Sequence, residues 1–158
     1  MESTPNKQMQ RISRADMLLL LLYAEGPSKQ KGETIKGKTR LQKEVFLTQK
    51  KLRDVDIFTY YSFKPYKLGP YSKELYDDIE LMEYEGVIEV RRVDMGQEGV
   101  FAEFQITRKG KSEIENKIRM KQLQKAFEVA TEIKMRFNTL DVVELVKLTH
   151  EQYPEYVG

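Results

Sequence analysis

The chain has 158 residues, of which 40% are hydrophobic and 33% are charged, and its formal net charge is +2 at pH 7. This length accommodates one domain with a sizeable core and a helical extension. The chain has no cysteine and one histidine, which excludes disulfides, thiolate metal sites and thiol nucleophiles, and argues against a transition-metal site.

Charge is distributed unevenly along the chain. Residues 1–53 hold 12 Lys and Arg against 5 Asp and Glu, residues 54–104 hold 5 against 12, and residues 105–158 hold 10 against 8. The three segments therefore carry +7, −7 and +2. This polarity bears on the choice of partner more than the net charge does.

The N-terminal part is predicted to contain a flexible segment and a buried helix. Residues 1–12 are polar, and we expect them to be flexible. The apolar run from Met17 to Tyr23 is much shorter than the ~20 residues of a membrane span, and no good signal-peptide cleavage site follows it. We therefore predict a first helix over residues 14–25, with Ser13 in a capping box at its start, in a cytoplasmic protein.

Loop and helix alternate in the next part of the chain. Residues 26–37 are rich in glycine and lysine and are predicted to form a flexible basic loop. A second helix is predicted to begin after Thr39 because apolar residues then recur at helical spacing. Residues 54–71 form an aromatic connection, in which we expect most rings to pack in the core and Tyr66 to be exposed.

A turn and a third helix are predicted after this connection. Gly69 and Pro70 are a turn signal, because glycine tolerates positive φ and proline fixes φ near −65°. Ser72 is placed to cap a helix through its hydroxyl group. Apolar residues at helical spacing then predict a helix that ends at Gly86.

Two β-rich runs, residues 87–93 and 100–106, flank a polar turn and predict a β-hairpin. A short helix followed at once by a hairpin is typical of the second half of a winged helix. We therefore predict an α+β fold in which residues 13–107 form a mainly helical winged-helix core (three helices and a β-hairpin). Residues 108–158 are predicted to form a C-terminal helical extension.

The extension is predicted to hold one long helix and one shorter helix. Apolar residues recur at spacings of three to five from Ile114 to Ile133, and the last helix begins after Thr139 with Leu140, Val143 and Val146 inward. The long apolar stripe predicts a homodimer through residues 108–135. Coverage of the stripe by the last helix of the same chain is the alternative.

The sequence contains no recognisable catalytic constellation. Asp77 and Asp78 are adjacent, so on a helix they point about a quarter turn apart. No nucleophile–base spacing, phosphate loop, dinucleotide fingerprint or metal motif occurs. We interpret the acidic residues of 74–85 as a solvated helix face and His150 as a surface or cap histidine. The prediction is a protein that is not an enzyme and has no cofactor or metal.

DNA binding is an alternative function. The third helix would be the recognition helix of a winged helix, but its polar face is acidic and opposed only by Lys73, which disfavours contact with phosphates. If DNA is bound, we expect it to contact a different, basic set of residues. These candidate nucleic-acid contacts are Lys36, Lys38, Arg40, Lys43, Arg91 and Arg92.

Protein binding is the other interpretation of the aromatic connection. Aromatic side chains beside a Gly-Pro turn suit an interface, because they dominate interface energetics. The residues predicted to form a protein-partner surface are Tyr66, Lys67, Gly69, Pro70 and Tyr71.

Three segments resemble the Panacea antitoxin domain. Residues 38–47 contain Lys-Thr-Arg-Leu-Gln-Lys, residues 63–76 contain Tyr-Lys-Leu-Gly-Pro-Tyr, and residues 140–154 contain Leu-Thr-His and a final proline. That family typically has a Lys-x-x-Leu-Gln-Lys helix, a Tyr-Gly-Pro turn and a similar closing motif. The similarity covers most of residues 38–154.

The resemblance implies a non-enzymatic regulatory module that binds a protein partner, such as a toxin, in antitoxin or adaptor fashion. Members of the family include antitoxins, a proteolytic adaptor and solitary prokaryotic and phage-associated proteins. Two positions depart from the pattern: Leu68 stands where the family usually has an aromatic residue, and Tyr71 where the antitoxins often have valine. The alternative remains a winged-helix transcriptional regulator that binds DNA.

Overall fold

The computed structural model describes residues 9–121 and 123–158, which form a mixed α+β fold. The helices are α1 (Arg14–Tyr23), α2 (Lys38–Asp54), α3 (Lys73–Tyr84), α4 (Arg108–Arg119), α5 (Gln124–Phe137) and α6 (Val142–Gln152). The strands are β1 (Gln10–Arg11), β2 (Ile35–Lys36), β3 (Ile57–Phe58), β4 (Lys64–Tyr66), β5 (Gly69–Tyr71), β6 (Ile88–Asp94) and β7 (Val100–Ile106). Among these residues, no helix is long and apolar enough to cross a bilayer.

The main sheet contains three antiparallel strands in the order β2-β7-β6. Strands β6 and β7 pair over their full length, so the predicted hairpin is confirmed. The predicted basic loop ends in a strand, because β2 pairs Ile35 with Phe104 of β7. Ile35 is fully buried, and this burial together with the strand pairing orders the end of the loop.

The core is built around α1, whose residues from Met17 to Tyr23 are all buried. The Ser13 hydroxyl accepts a hydrogen bond from the Asp16 amide at 3.0 Å, which confirms the helix start. The capping box is not completed, because the Asp16 carboxylate instead pairs with Lys117 of α4 at 2.8 Å. This ion pair joins the two helices at their surface.

The predicted long helix is wrong, because α4 and α5 are separate helices. The helical conformation is interrupted between them at Lys121, where φ is +66°. The break lets α5 turn back and pack against both α1 and α2. Its apolar side chains, such as Ala130 and Ile133, are buried within one chain, as is Ile114 of α4. The stripe on which the predicted dimer rested is therefore already covered, by α1 and α2 and not by the last helix alone.

The last helix begins at a different point and buries a different stripe from those predicted. The Asp141 carboxylate accepts from the Val143 amide at 2.8 Å and caps α6. Leu145 and Thr149 are buried, whereas Val143 is 58% exposed, so its predicted inward position is wrong. The buried face of α6 is decided by tertiary packing, because α6 packs against α2 and β5.

Two glutamines of α2 bind the aromatic connection to the core. The Gln42 side chain donates to the Ser72 carbonyl at 2.8 Å and accepts from the Ser72 amide at 2.9 Å. Gln49, seven residues later on the same face, does the same to the Tyr61 carbonyl and amide at 3.0 and 2.9 Å. Each side-chain amide makes the two backbone hydrogen bonds that a neighbouring strand would otherwise make with the loop.

We expect Gln42→Leu to destabilise the fold by about 2–3 kcal/mol, because it leaves a buried backbone donor and acceptor unsatisfied. Urea unfolding followed by circular dichroism measures the change. Gln152→Leu, the same substitution at an exposed position of α6, is the control and should change stability by no more than about 0.5 kcal/mol. Equal effects at the two positions would contradict the role given to Gln42.

Candidate functional site

Strands β4 and β5 form a small hairpin, and β5 packs against α2 and α6. Its strands pair Tyr66 with Gly69, so the two-residue turn is formed by Lys67 and Leu68. The predicted turn at Gly69 and Pro70 is therefore displaced, because these two residues lie in β5. Gly69 does have positive φ, at +104°, as predicted.

Strand β4 and the turn of this hairpin are exposed, and its tip consists of Tyr66, Lys67 and Leu68. Tyr66 is 53% exposed, as predicted, and Leu68 is 49% exposed. Gly69 and Pro70 are buried beneath the tip, so they support the predicted partner surface and do not form part of it. Two large apolar side chains are thus presented to solvent on a short, paired element.

A row of three tyrosine rings, the tyrosine row, runs from the tip to α3. The ring centroids of Tyr66 and Tyr71 are 5.0 Å apart, and those of Tyr71 and Tyr76 are 5.7 Å apart. The ammonium of Lys38 lies 5.7 Å from the centroid of the Tyr76 ring, within range of a cation–π interaction. Burial raises the pKa of Tyr76 to about 12, so its phenol stays neutral.

A pocket of about 140 Å³ opens beside the tyrosine row. Its walls come from the hairpin, from α3 and from the first turns of α2. The lining residues are Thr39, Gln42, Lys43, Tyr66, Leu68, Gly69, Pro70, Tyr71 and Tyr76.

Lys43 is the charged residue that lines this pocket, and only 2% of its surface is exposed. Its ammonium donates one long hydrogen bond, of 3.4 Å, to the Pro70 carbonyl. Burial lowers the pKa of Lys43 to about 8. Lys43, one of the predicted nucleic-acid contacts, is thus buried and not exposed at the surface.

The missing side chain of Gly69 leaves room for this ammonium. A Cβ at Gly69 would make a tight contact of 3.2 Å with Cε of Lys43, next to its ammonium, and would lie 3.5 Å from Cδ2 of His150 in α6. His150 is half-buried and its Nε2 has no hydrogen-bond partner among the described residues, so it is not the surface histidine predicted. Both the positive φ at position 69 and the two neighbouring side chains therefore favour a glycine there.

Ser72 occupies the predicted N-cap position of α3, but its hydroxyl does not cap the helix. The Ser72 Oγ is buried and has no partner among the described residues. Gln42 instead binds the Ser72 backbone and fixes the entry to α3. The C-terminal segment fixes the other edge of the hairpin, because the Gly158 amide donates to the Tyr66 carbonyl at 3.0 Å.

The acidic face of α3 is more extensively paired than the sequence indicated. Asp78 pairs with Arg14 of α1 at 2.9 Å and accepts from the Tyr61 hydroxyl at 2.7 Å. Glu83 receives two hydrogen bonds of 3.0 Å from Arg92 of β6. Lys73 is therefore not the only cation that opposes this face, and much of its charge serves to attach α3 to its neighbours.

The predicted nucleic-acid contacts lie in β2, α2 and β6, and several are engaged within the protein. Arg91 pairs with Glu103 at 3.3 Å, and Arg92 is bound to Glu83. Arg40 donates to the Phe137 carbonyl at 2.6 Å. Lys36 and Lys38 are exposed and, together with Arg40, line a cleft of about 540 Å³.

Two further charged side chains are buried in the core, Glu44 of α2 and Lys134 of α5. Glu44 is fully buried, and neither carboxylate oxygen has a hydrogen-bond partner among the described residues. Lys134 of α5 is also fully buried and donates to the carbonyls of Leu22 and Ala24 at 2.9 and 2.8 Å, which caps the end of α1. Burial raises the pKa of Glu44 to about 8, against the opposing effect of Lys134 and Arg40.

Comparisons with known proteins do not place this chain in a family. No family model matches it, no curated protein is similar to it, and no solved structure resembles it. Among the described residues, no group of three or more His, Asp or Glu side chains could hold a metal ion. Function is therefore inferred from the hairpin, the tyrosine row and the pocket themselves.

Between the ordinary pKa of 4.5 and the raised value of about 8, the folded state keeps a proton on Glu44 that the unfolded state releases. Stability should therefore fall as pH rises through this window, and Glu44→Gln should remove this part of the decline. Lys134, whose pKa burial lowers from 10.5 to about 8, affects the slope only above the window.

Urea unfolding of the wild type and of Glu44→Gln at about pH 5 and about pH 7.5 measures how far the free energy of unfolding falls between the two pH values. The control is Glu132→Gln, which changes an exposed carboxylate of α5 and should keep the wild-type slope. A slope that is the same in all three proteins would show that Glu44 is ionised in the folded state.

Proposed function

We propose that this chain is a non-enzymatic regulatory interaction module of the cytoplasm, which binds a protein partner in antitoxin or adaptor fashion through the hairpin tip and the tyrosine row. The observation that carries the proposal is the exposure of Tyr66 and Leu68 on a hairpin that is anchored by the buried Gly69 and Pro70 of β5. Large side chains held in this way lose little conformational freedom on binding, which favours affinity.

The supports of the hairpin strengthen this proposal. Gln42 holds the end of β5, Gly158 pairs with β4, and the rings of Tyr66 and Tyr71 contact one another. A surface fixed on three sides is pre-organised for a partner. The resemblance of residues 38–47 and 63–76 to the Panacea antitoxin domain supports the same function, because these are the segments that build the pocket.

The proposal includes a winged-helix core in residues 13–107. The order of α1, β2, α2, α3 and the β6–β7 hairpin supports it, as does the addition of β2 to the edge of that hairpin. The partner proposed for the hairpin tip is a protein, with a toxin as the example that the resemblance suggests.

Tyr66→Ala should reduce partner capture at least about tenfold, because truncated aromatic anchors of an interface commonly cost more than 1.4 kcal/mol. Stability should change by about 0.5 kcal/mol or less, since the ring is at the surface. Tyr84→Ala is the matched control, because Tyr84 is 90% exposed on α3, away from the hairpin.

The partner is identified with a photoreactive phenylalanine analogue at position 66 or 84 of the full chain in native lysate, and its capture by the wild type, Tyr66→Ala and Tyr84→Ala is then compared. A discrete adduct from position 66, absent from position 84 and identified by mass spectrometry, is the expected result. An adduct from neither position, or equal adducts from both, would count against the hairpin tip as a binding surface.

DNA binding is the second candidate, and the exposed Lys36 and Lys38 beside the cleft favour it. If duplex DNA is bound there, Lys36→Gln should flatten the plot of log affinity against log salt by about 0.9, because one phosphate contact is lost. Lys125→Gln, at an exposed position of α5, should keep the slope. Fluorescence anisotropy with a random duplex checks this, and absence of binding at low salt would remove this candidate.

A further inference from the structure

Lys43 carries a buried charge without an anionic partner. Among the ion pairs of the described residues, none involves Lys43. Its one long bond to a neutral carbonyl leaves two of its three N–H donors without an acceptor in the part of the chain that the structure describes. Buried charges are normally paired, so this ammonium is available to bind an anionic group of a ligand.

Lys43 lines a pocket whose size and composition suit an acidic side chain. The pocket of about 140 Å³ is large enough for one carboxylate-bearing side chain, and Lys43 lines it together with tyrosine rings and Leu68. The rings would cover the apolar stem of such a side chain, while its carboxylate met the ammonium. A charge-assisted hydrogen bond in this sheltered position is stronger than one between neutral groups.

Exposed lysines around the pocket indicate that the ligand belongs to an acidic segment. Lys64 and Lys67 of the hairpin are exposed, and Lys38 lies beside Tyr76 at the other end of the tyrosine row. A single chain end would use one of these cations, whereas a segment with several acidic residues would use them all. Charge complementarity thus favours an acidic side chain over a terminal carboxylate.

We propose that the pocket takes the carboxylate of an aspartate or glutamate side chain from an acidic segment of the protein partner, with the Lys43 ammonium as its counter-ion. This inference rests on the proposed function and names the chemistry of the partner at the same site. Tyr66 and Leu68 then contact apolar residues that flank the acidic one.

The test is a titration of the ¹⁵N-labelled full chain with acetyl-leucyl-glutamyl-leucine amide, followed by NMR. The amide signals of Gly69 and Tyr71 should shift, and the glutaminyl peptide should bind at least about tenfold more weakly, because it lacks the charge. Lys43→Met should reduce the affinity for the glutamyl peptide to that of the glutaminyl peptide. Lys125→Met, which removes an exposed lysine of α5, should keep the preference.

Equal affinity for the two peptides in the wild-type protein overturns the inference, and this comparison needs no variant to fold. A third peptide, acetyl-leucyl-glutaminyl-leucine with a free carboxyl end, distinguishes the sources. If it binds in preference to the glutamyl amide, the side-chain assignment is wrong.

The two proposals fail separately. A partner adduct from position 66 with no preference for the glutamyl peptide overturns the inference and leaves the proposed function intact. A clear preference for the glutamyl peptide, without any adduct in lysate, supports the carboxylate pocket and counts against the proposed function.

Discussion

The pairing of the Gln42 side chain with the backbone of Ser72 is the interaction on which the site depends. Residues 42 and 72 are 30 positions apart, and both hydrogen bonds are buried. They fix the end of β5 and the beginning of α3 at the same point. The hairpin tip, the tyrosine row and the pocket are all arranged around that point, so a loss of these bonds would disturb all three.

Helix α2 provides this interaction because it is buried on more than one side. It packs against α5 on one side and against β5 and α6 on others. Residues 41–48 are all buried, including Lys43 and Glu44. A helix in such a position must find partners for its polar side chains, since an unpaired polar group costs free energy when buried. Gln42 and Thr48 find them in backbone carbonyls, and Gln42 also in an amide.

The polar groups that lack protein partners are therefore informative. Within residues 9–121 and 123–158, Glu44 has no hydrogen-bond partner, and it adapts through its protonation, because burial raises its pKa to about 8. Lys43 has one weak partner and faces a pocket. Burial of Glu44 makes the stability of the fold depend on pH. Burial of Lys43 places a positive charge beside a pocket, where it can pair with an anionic ligand. The same helix thus combines a structural role with the proposed recognition of a partner.

The amino-acid sequence by itself determined the local elements. The Ser13 cap, the end of α3 just before Gly86, the β6–β7 hairpin and the exposure of Tyr66 all follow from spacing, turn chemistry and caps, which act over a few residues. It did not determine the break at Lys121, since apolar spacing continues across it and only packing on α1 and α2 requires a turn.

Tertiary structure alone decided which polar side chains of α2 are buried. Periodicity placed Lys43 among surface cations, because a helical pattern cannot show that a hairpin 27 residues later covers that face. In the same way, Asp78 and Glu83 appeared as a solvated acidic face until Arg14 and Arg92 were brought beside them. Contacts over long sequence separations depend on how whole elements pack, and the pocket is made of such contacts.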